Sequence, residues 1–238
     1  MRAFSLFLIS LFACFSYADV LKLATSPDYK PFEYMENNEI VGFDIDLSRM
    51  IAKELGHELN ILSMTFDGII ASLVTGKADF AASSLSMTQE RKNKVDFSLP
   101  VYKSQNIFIK RKSSEDIKEL KDLAGKKLAY MVGSIQEKAA KGVEGAKLVG
   151  IIEGTNVAMS VISGKNDAFV FEDIAGLEYV NKYPELEVLS VVPYDEGEAA
   201  LAFPKGSKYV EDFNKVILKL KEDGRYQELL DKYNLKQQ

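Results

Sequence analysis

The chain has 238 residues, of which 47% are hydrophobic, and a net charge of −5 with acidic and basic residues interspersed. This mild acidity carries no basic footprint for nucleic acid, so we exclude a nucleic-acid-binding function. The single cysteine, Cys14, excludes a disulfide framework, and a chain of this length can bury a core without one.

Residues 1–18 have the pattern of a secretory signal peptide. A positive charge at Arg2 precedes an apolar run and a small-x-small cleavage site that ends at Ala18. The apolar run is too short for a permanent membrane span. We therefore expect cleavage after Ala18 and a periplasmic location. A lipoprotein box ending at Cys14, which would then be lipidated, is the second interpretation; it is disfavoured because Phe12 is bulky for that motif.

The next part of the chain alternates between strands and helices. The predicted elements are a strand at 20–25, a helix at 45–55 ending at Gly56, a strand at 58–64, a helix at 67–75, a strand at 80–82 and a short helix at 88–94 with Thr88 as its N-cap. This alternation is typical of a mainly parallel sheet covered by helices.

The alternation restarts after a strand at 107–110. Strands are predicted at 127–131, 147–152, 167–171, 187–191 and 199–203, and helices at 136 onward, 156–163, 174–182, 208–222 and 225–233. The second half of the chain therefore predicts another α/β unit.

One helix-to-strand unit occurs twice, at residues 72–80 (SLVTGKADF) and 160–168 (SVISGKNDA). Each copy ends an amphipathic helix at a glycine and continues through Lys and Asp into an apolar strand. The repeat predicts two similar α/β lobes, each with a central mixed sheet. The alternative is that Gly-Lys-x-Asp is only a common helix-to-strand connection.

No Pro-rich linker separates the two halves, so we expect extended crossings near residues 103–106 and 194–198 to join the lobes as hinge strands. Residues 19–104 and 198–238 would form the first lobe, and residues 105–197 the second. A double crossing of this kind suits hinge bending.

Ligands of open α/β sheets bind outside the carboxyl ends of the strands. This rule selects loops at residues 26–32, 64–67, 83–86, 131–136 and 172–173. Five residues after the Asp of each repeat, Asp79 and Asp167, stand Ser84 and Glu172. We expect these two to face each other across the cleft, although Glu172 could instead be a solvated helix N-terminus.

Several residues of these loops suit an ionic ligand. Arg91 could turn back over the loop at residues 83–86, called the serine loop below, and bind a carboxylate bidentately. Ser134 stands at the start of a predicted helix, where backbone N–H groups suit an anion. Tyr29 and Phe66 would either sandwich a planar or cationic ligand side chain or fill the core. Met131 would either line the cleft wall or fill the core.

Catalytic and metal-binding patterns are missing from the sequence. The only histidine, His57, lies on none of the five loops, no His/Cys/carboxylate cluster suggests a metal, and no Gly-rich phosphate loop follows the first strand. We therefore predict a binding protein without metal or cofactor, not an enzyme.

Blocks along the whole chain outside the leader carry a resemblance to a known family. They are residues 24–32 (ATSPDYKPF), 41–47 (VGFDIDL), 66–73 (FDGIIASL), 83–91 (SSLSMTQER), 96–102 (DFSLPVY) and 222–226 (EDGRY). Together they resemble the extracytoplasmic solute-binding proteins, family 3, of polar amino-acid ABC importers. The resemblance implies a Venus-flytrap fold and a monomer that delivers an L-amino acid to a membrane ABC permease.

The resemblance also implies roles for residues of this chain. Arg91 would hold the α-carboxylate and Glu172 the α-amino group, unless a one-residue shift puts Asp173 there. The further implied contacts are Ser83, the Ser84 backbone and Ser86 for the ligand's charged backbone groups, the N–H groups of Ser134, Ile135 and Gln136 for its carboxylate, and Tyr29, Phe66 and Met131 for its side chain.

Ser26 bears on the identity of the ligand. In the family that the chain resembles, proteins that bind basic amino acids or glutamine often carry Asp at this position, although some arginine binders lack it. The aromatic pair with Glu33 nearby favours a basic amino acid such as arginine or lysine. A neutral polar amino acid, such as glutamine, histidine or cystine, is the second interpretation. A cyclohexadienyl (prephenate) dehydratase on the same fold is disfavoured because residues 174–176 supply no acid or base. A sensory module is the remaining alternative.

Overall fold

A computed structural model of the protein describes residues 19–194 and 198–235. The predicted signal peptide with Cys14 lies outside these residues, as does the middle of the second predicted crossing, residues 195–197. Among the helices within the described ranges, none is long and apolar enough to cross a membrane.

The strands and helices follow one another in close alternation. In chain order the strands are β1 (Val20–Thr25), β2 (Asp28–Tyr29), β3 (Glu33–Glu36), β4 (Glu39–Val41), β5 (Glu58–Ser63), β6 (Phe80–Ala81), β7 (Val95–Phe97), β8 (Gln105–Arg111), β9 (Lys127–Met131), β10 (Lys147–Ile151), β11 (Ala168–Glu172), β12 (Leu186–Pro193) and β13 (Ala202–Pro204). The α-helices are α1 (Phe43–Leu55), α2 (Ile69–Val74), α3 (Gln89–Lys92), α4 (Ile135–Lys141), α5 (Gly154–Ile162), α6 (Asp173–Lys182), α7 (Tyr209–Glu222) and α8 (Arg225–Lys232), with 3-10 turns at Phe66–Gly68 and Leu120–Leu123.

Two mixed five-stranded sheets form the centres of two lobes. The first has the order β5-β1-β6-β13-β7 and the second the order β10-β9-β11-β8-β12. In each, parallel pairs on one side meet antiparallel pairs on the other. Strand β13 joins the first sheet after the second is complete, so the chain passes between the lobes twice. The predicted two-lobed α/β fold is confirmed.

Burial of apolar side chains explains these elements. In α1 the side chains of Phe43, Ile45, Leu47 and Ile51 are buried, and the helix ends at Gly56, whose φ of 74° suits glycine. Strand β11 is buried along its whole length, as expected for an inner strand covered on both faces.

The repeated unit makes the same bond in each lobe. The Asp79 carboxylate accepts the Lys22 backbone N–H at 2.8 Å, and the Asp167 carboxylate accepts the Lys127 backbone N–H at 2.7 Å. Each Asp thus ties the strand that follows its helix to the first parallel strand of its sheet. The repeat is scaffold in both lobes.

The small sheet β2-β3-β4 was not predicted. Its β3–β4 turn contains Asn37 and Asn38 with φ values of 49° and 66°, the left-handed pair that a tight hairpin turn requires. The strand predicted at 199–203 is shorter and later in the structure, because Ala199 forms only isolated bridges to Ser86 and Tyr102.

Candidate functional site

A small cavity of about 20 Å³ lies between the two sheets. Both lobes line it. The lining consists of Tyr29, Phe66, Ser83, Ser84, Ser86 and Arg91 from the first lobe, and Met131, Ile135, Gln136, Glu172 and Tyr194 from the second lobe and the end of β12.

Ten of the twelve predicted contact residues lie in this lining. The other two, Ser26 and Ser134, lie just outside it. The Ser26 hydroxyl donates to Asp28 at 3.0 Å, and the Ser134 hydroxyl donates to the Met131 carbonyl at 2.7 Å. For Ser134 we expected the backbone N–H to bind the ligand carboxylate, and this N–H donates to the Met131 carbonyl at 3.2 Å. A ligand contact by Ser26 stays a prediction.

Arg91 bridges the lobes. Its backbone N–H donates to the Thr88 hydroxyl, which caps α3 as predicted. Its guanidinium donates to the carbonyls of Ser86 and Gly133, both at 3.0 Å, and lies 5.5 Å from the centre of the Phe66 ring. Burial lowers the pKa of Arg91 to about 10, so the group remains charged at neutral pH.

The serine loop after β6 is held from behind. Ser84 has a φ of 45°, and its N–H donates to Asp44 at 2.7 Å, so this N–H already has a partner within the protein. The Ser83 hydroxyl donates to Glu33 at 3.1 Å. Glu33 is buried behind the loop and is not among the lining residues, so it does not present its carboxyl to a ligand side chain as we expected.

Glu172 is the buried acid of the cavity. It is 2% exposed at the end of β11, and among the described residues neither of its carboxyl oxygens has a hydrogen-bond partner. Burial, with Asp173 beside it, raises the pKa of Glu172 well above its usual range. Ser104 and the Ala175 amide moderate the rise without meeting the geometry of a hydrogen bond.

Of the two adjacent acids, Glu172 is the one that lines the cavity. The Asp173 carboxylate accepts the N–H of Ile174 at 3.0 Å, within its own helix α6. The Glu172 backbone N–H donates to the Tyr29 hydroxyl at 3.1 Å across the lobes. A cationic donor in the cavity would satisfy Glu172, whose burial without one is costly.

The two aromatic side chains of the lining, Tyr29 and Phe66, also contact other groups of the protein. The Tyr29 ring meets Phe171 edge-on at 5.2 Å, whereas Phe66 packs on the guanidinium described above. Sequence reasoning missed Tyr194, whose hydroxyl accepts from the Gln136 amide at 2.9 Å. Its position in the predicted second crossing was the available signal.

Further contacts hold the lobes together beside the cavity. Asp28 accepts the N–H of Gly154, the first residue of α5, at 2.5 Å, and Lys30 forms an ion pair with Glu178 at 3.7 Å. A Cβ atom on Gly154 would lie 3.3 Å from the Asp28 carbonyl oxygen and from the Tyr29 ring. The structure is therefore the closed arrangement of the two lobes.

The single histidine, His57, packs against Tyr209 and is not in the cavity lining. Within residues 19–194 and 198–235, no group of three or more His, Cys, Asp or Glu side chains could hold a metal ion.

Comparison with known proteins gives a consistent result. The model of the family described as "Bacterial extracellular solute-binding proteins, family 3" matches residues 21–236. The chain is 36% identical to a probable histidine-binding protein of Campylobacter jejuni and 35% identical to the arginine-binding extracellular protein ArtP of Bacillus subtilis. Each alignment covers 90% of this chain and 85% of the relative.

Solved structures with similar folds include an ancestral arginine-binding protein bound to arginine. It has a TM-score of 0.85 and 33% identity over 90% of this chain and 97% of that one. Another is the ancestral amino-acid-binding protein AncCDT-1, described as a precursor of cyclohexadienyl dehydratase, with a TM-score of 0.82 and 34% identity over 90% and 95% of the two chains.

Proposed function

The chain belongs to the bacterial extracellular solute-binding proteins of family 3, and we propose that its cavity captures one L-amino acid and that the protein delivers this amino acid to a membrane ABC permease. One observation carries the proposal. Arg91 and Glu172 come from opposite lobes and line the same cavity, and Glu172 has no hydrogen-bond partner among the described residues. This pair complements a zwitterion.

In the proposed complex the α-carboxylate binds the Arg91 guanidinium, which matches it bidentately. The α-ammonium group binds Glu172 and the Ser84 carbonyl. Because the two charged partners belong to different lobes, the ligand gains its full set of contacts only when the lobes close. That difference in affinity shifts the population toward the closed state.

The charges around the cavity favour a basic amino acid such as arginine or lysine. Burial raises the pKa of four acids in or beside the site, which are Asp28, Glu33, Asp44 and Glu172. Among the described residues that line the cavity, Arg91 is the cation and Glu172 the carboxylic acid. A cationic ligand side chain would stabilise the ionised forms of the nearby acids, which burial disfavours. A neutral polar amino acid is the alternative.

We further propose that residues 1–18 direct export to the periplasm with cleavage after Ala18, in preference to lipidation at Cys14. The mature protein would act as a monomer, with residues 19–104 and 198–238 as the first lobe and 105–197 as the second. A dehydratase activity is not proposed, because residues 174–176 bring no acid or base to the cavity.

Calorimetric titration with L-arginine, L-lysine, L-histidine, L-glutamine and L-cystine tests the proposal. We expect arginine or lysine to bind with a micromolar Kd or tighter, and the neutral amino acids to bind more weakly. If no amino acid binds more tightly than about 1 mM, which corresponds to about −4 kcal/mol, the proposal is wrong. Release of phenylpyruvate from prephenate would instead establish the enzyme.

A further inference from the structure

A pair of acids lies directly behind the serine loop. Glu33 on β3 and Asp44 at the start of α1 are 1% and 3% exposed, and the two carboxyls lie close enough to act on each other's pKa. Neither residue lines the cavity. Two buried carboxyls in contact are costly unless they serve each other and their neighbours as hydrogen-bond partners.

Each acid holds one residue of the loop. Asp44 accepts the N–H of Ser84 at 2.7 Å, and Glu33 accepts the hydroxyl of Ser83 at 3.1 Å. The φ of 45° at Ser84 is unfavourable for a residue with a side chain and persists only where the surroundings hold it. These two bonds therefore fix the backbone conformation of the loop at Ser84, which lines the cavity.

A hydrogen bond between the two acids requires a proton on one of them, because two ionised carboxylates have no proton to donate. Oε2 of Glu33 is buried and accepts no hydrogen bond from the described residues, so it is the oxygen where a proton fits. Burial and the neighbouring Asp44 raise the pKa of Glu33 well above its usual range. Burial raises the pKa of Asp44 to about 6, against the lowering effect of its bonds to Ser84 and Glu33.

The other titratable groups that bear on the pair are all acids. They are Asp28 and Tyr29 of β2, Glu172 of β11 and Tyr226 of α8. None of these groups supplies a positive charge that would stabilise a second negative charge on the pair. Burial and the absence of such a cation among these groups favour a neutral Glu33 beside an ionised Asp44 at neutral pH, and Asp44 accepts from the loop.

We propose that Glu33 and Asp44 are positioning residues for the amino-acid site, acting through the Ser83–Ser84 loop. The inference rests on the proposed function, because it concerns the same cavity. It adds two residues that touch no ligand and makes ligand affinity depend on their charge states.

The test is the Kd for L-arginine between pH 5 and pH 7.5, measured by calorimetry for the wild type and for Asp44→Asn. The asparagine keeps an oxygen for the Ser84 N–H but no charge, so we expect arginine to bind about tenfold more weakly at pH 7.5. Wild-type Asp44 is itself largely neutral at pH 5. The ratio of the two Kd values should therefore fall below about two at that pH.

Glu33 supplies an independent pair of variants. Glu33→Gln places an amide donor against Asp44, so arginine affinity should stay within about threefold of the wild type, whereas Glu33→Ala removes the donor and should weaken binding about tenfold. The matched control is Glu36→Ala, which changes an exposed acid on the same strand and should leave affinity unchanged. Circular dichroism of each variant shows whether it is folded.

The outcomes separate the two proposals. If the wild type binds no amino acid at any pH, the proposed function fails and the inference fails with it. If the wild type binds arginine but the Kd ratio for Asp44→Asn is the same at pH 5 and pH 7.5, or glutamine at position 33 is as damaging as alanine, the inference alone is overturned. Unfolded Asp44→Asn leaves the decision to the Glu33 variants.

Discussion

Replacing Asp28 by alanine should weaken amino-acid binding although Asp28 does not line the cavity. Its carboxylate accepts the Gly154 N–H at the N-terminus of α5, on the other lobe. An open protein would lack this contact, so its loss should appear in ligand affinity and not in the stability of the ligand-free lobes.

The structure sets the size of the effect. Removing an acid from a helix N-terminus typically costs about 0.5–2 kcal/mol for the hydrogen bond and about 0.3–1 kcal/mol for the interaction with the helix dipole. Burial raises the pKa of Asp28, so desolvation of its charge offsets part of this gain. We therefore expect a loss of about 1 kcal/mol, which is about fivefold in Kd.

The assay is calorimetric titration of L-arginine into the wild type, Asp28→Ala, Asp28→Asn and Glu36→Ala. The asparagine variant keeps an acceptor and should lie between wild type and alanine. Glu36→Ala removes an exposed acid of β3 and should change Kd less than twofold. Wild-type affinity in Asp28→Ala would contradict this expectation, as would an equal loss of affinity in Glu36→Ala.

Three further predictions follow from the same contacts. Arg91→Ala should weaken binding of every amino acid at least about a hundredfold, because the α-carboxylate is common to all of them and would lose its buried cation; similar affinities in a calorimetric panel would contradict this. Gly154→Ala should weaken arginine binding with little change in the unfolding temperature of the ligand-free protein, because its Cβ would lie 3.3 Å from Asp28 and Tyr29 of the opposite lobe; an unchanged Kd would count against closure as described. Glu33→Gln should become more stable relative to the wild type as pH rises from about 5 to 9. The raised pKa of Glu33 means that the folded wild type still binds a proton that the unfolded chain has lost, so the stability of the wild type falls as pH rises. Parallel pH profiles of the unfolding temperature for the two proteins would exclude this.

Local patterns predicted the fold and the first-lobe arginine. The Thr88 cap determined where α3 begins. From that start of the helix followed the prediction that Arg91 turns back over the serine loop. The repeated unit led by simple counting to Ser84 and Glu172, which line the same cavity. These inferences succeeded because each depends on residues close together in the chain.

What the sequence did not predict depends on contacts between distant segments. Glu33 was predicted only to lie near the aromatic pair around the ligand, whereas packing of β3 against α1 and the serine loop buries it beside Asp44. The same packing occupies the Ser84 N–H. Tyr194 reaches the cavity only because the chain returns from β12 beside α4, where Gln136 donates to it.

Arg91 and Glu172 of opposite lobes together would recognise the charged backbone of an amino acid. The decisive measurement is calorimetric titration of the wild-type protein with L-arginine and with agmatine, its analogue without the carboxylate. We expect arginine to bind with a micromolar Kd or tighter and agmatine to bind at least about a hundredfold more weakly, because Arg91 would remain buried beside agmatine without an anion. Equal affinities for the two compounds would mean that Arg91 does not bind the carboxylate.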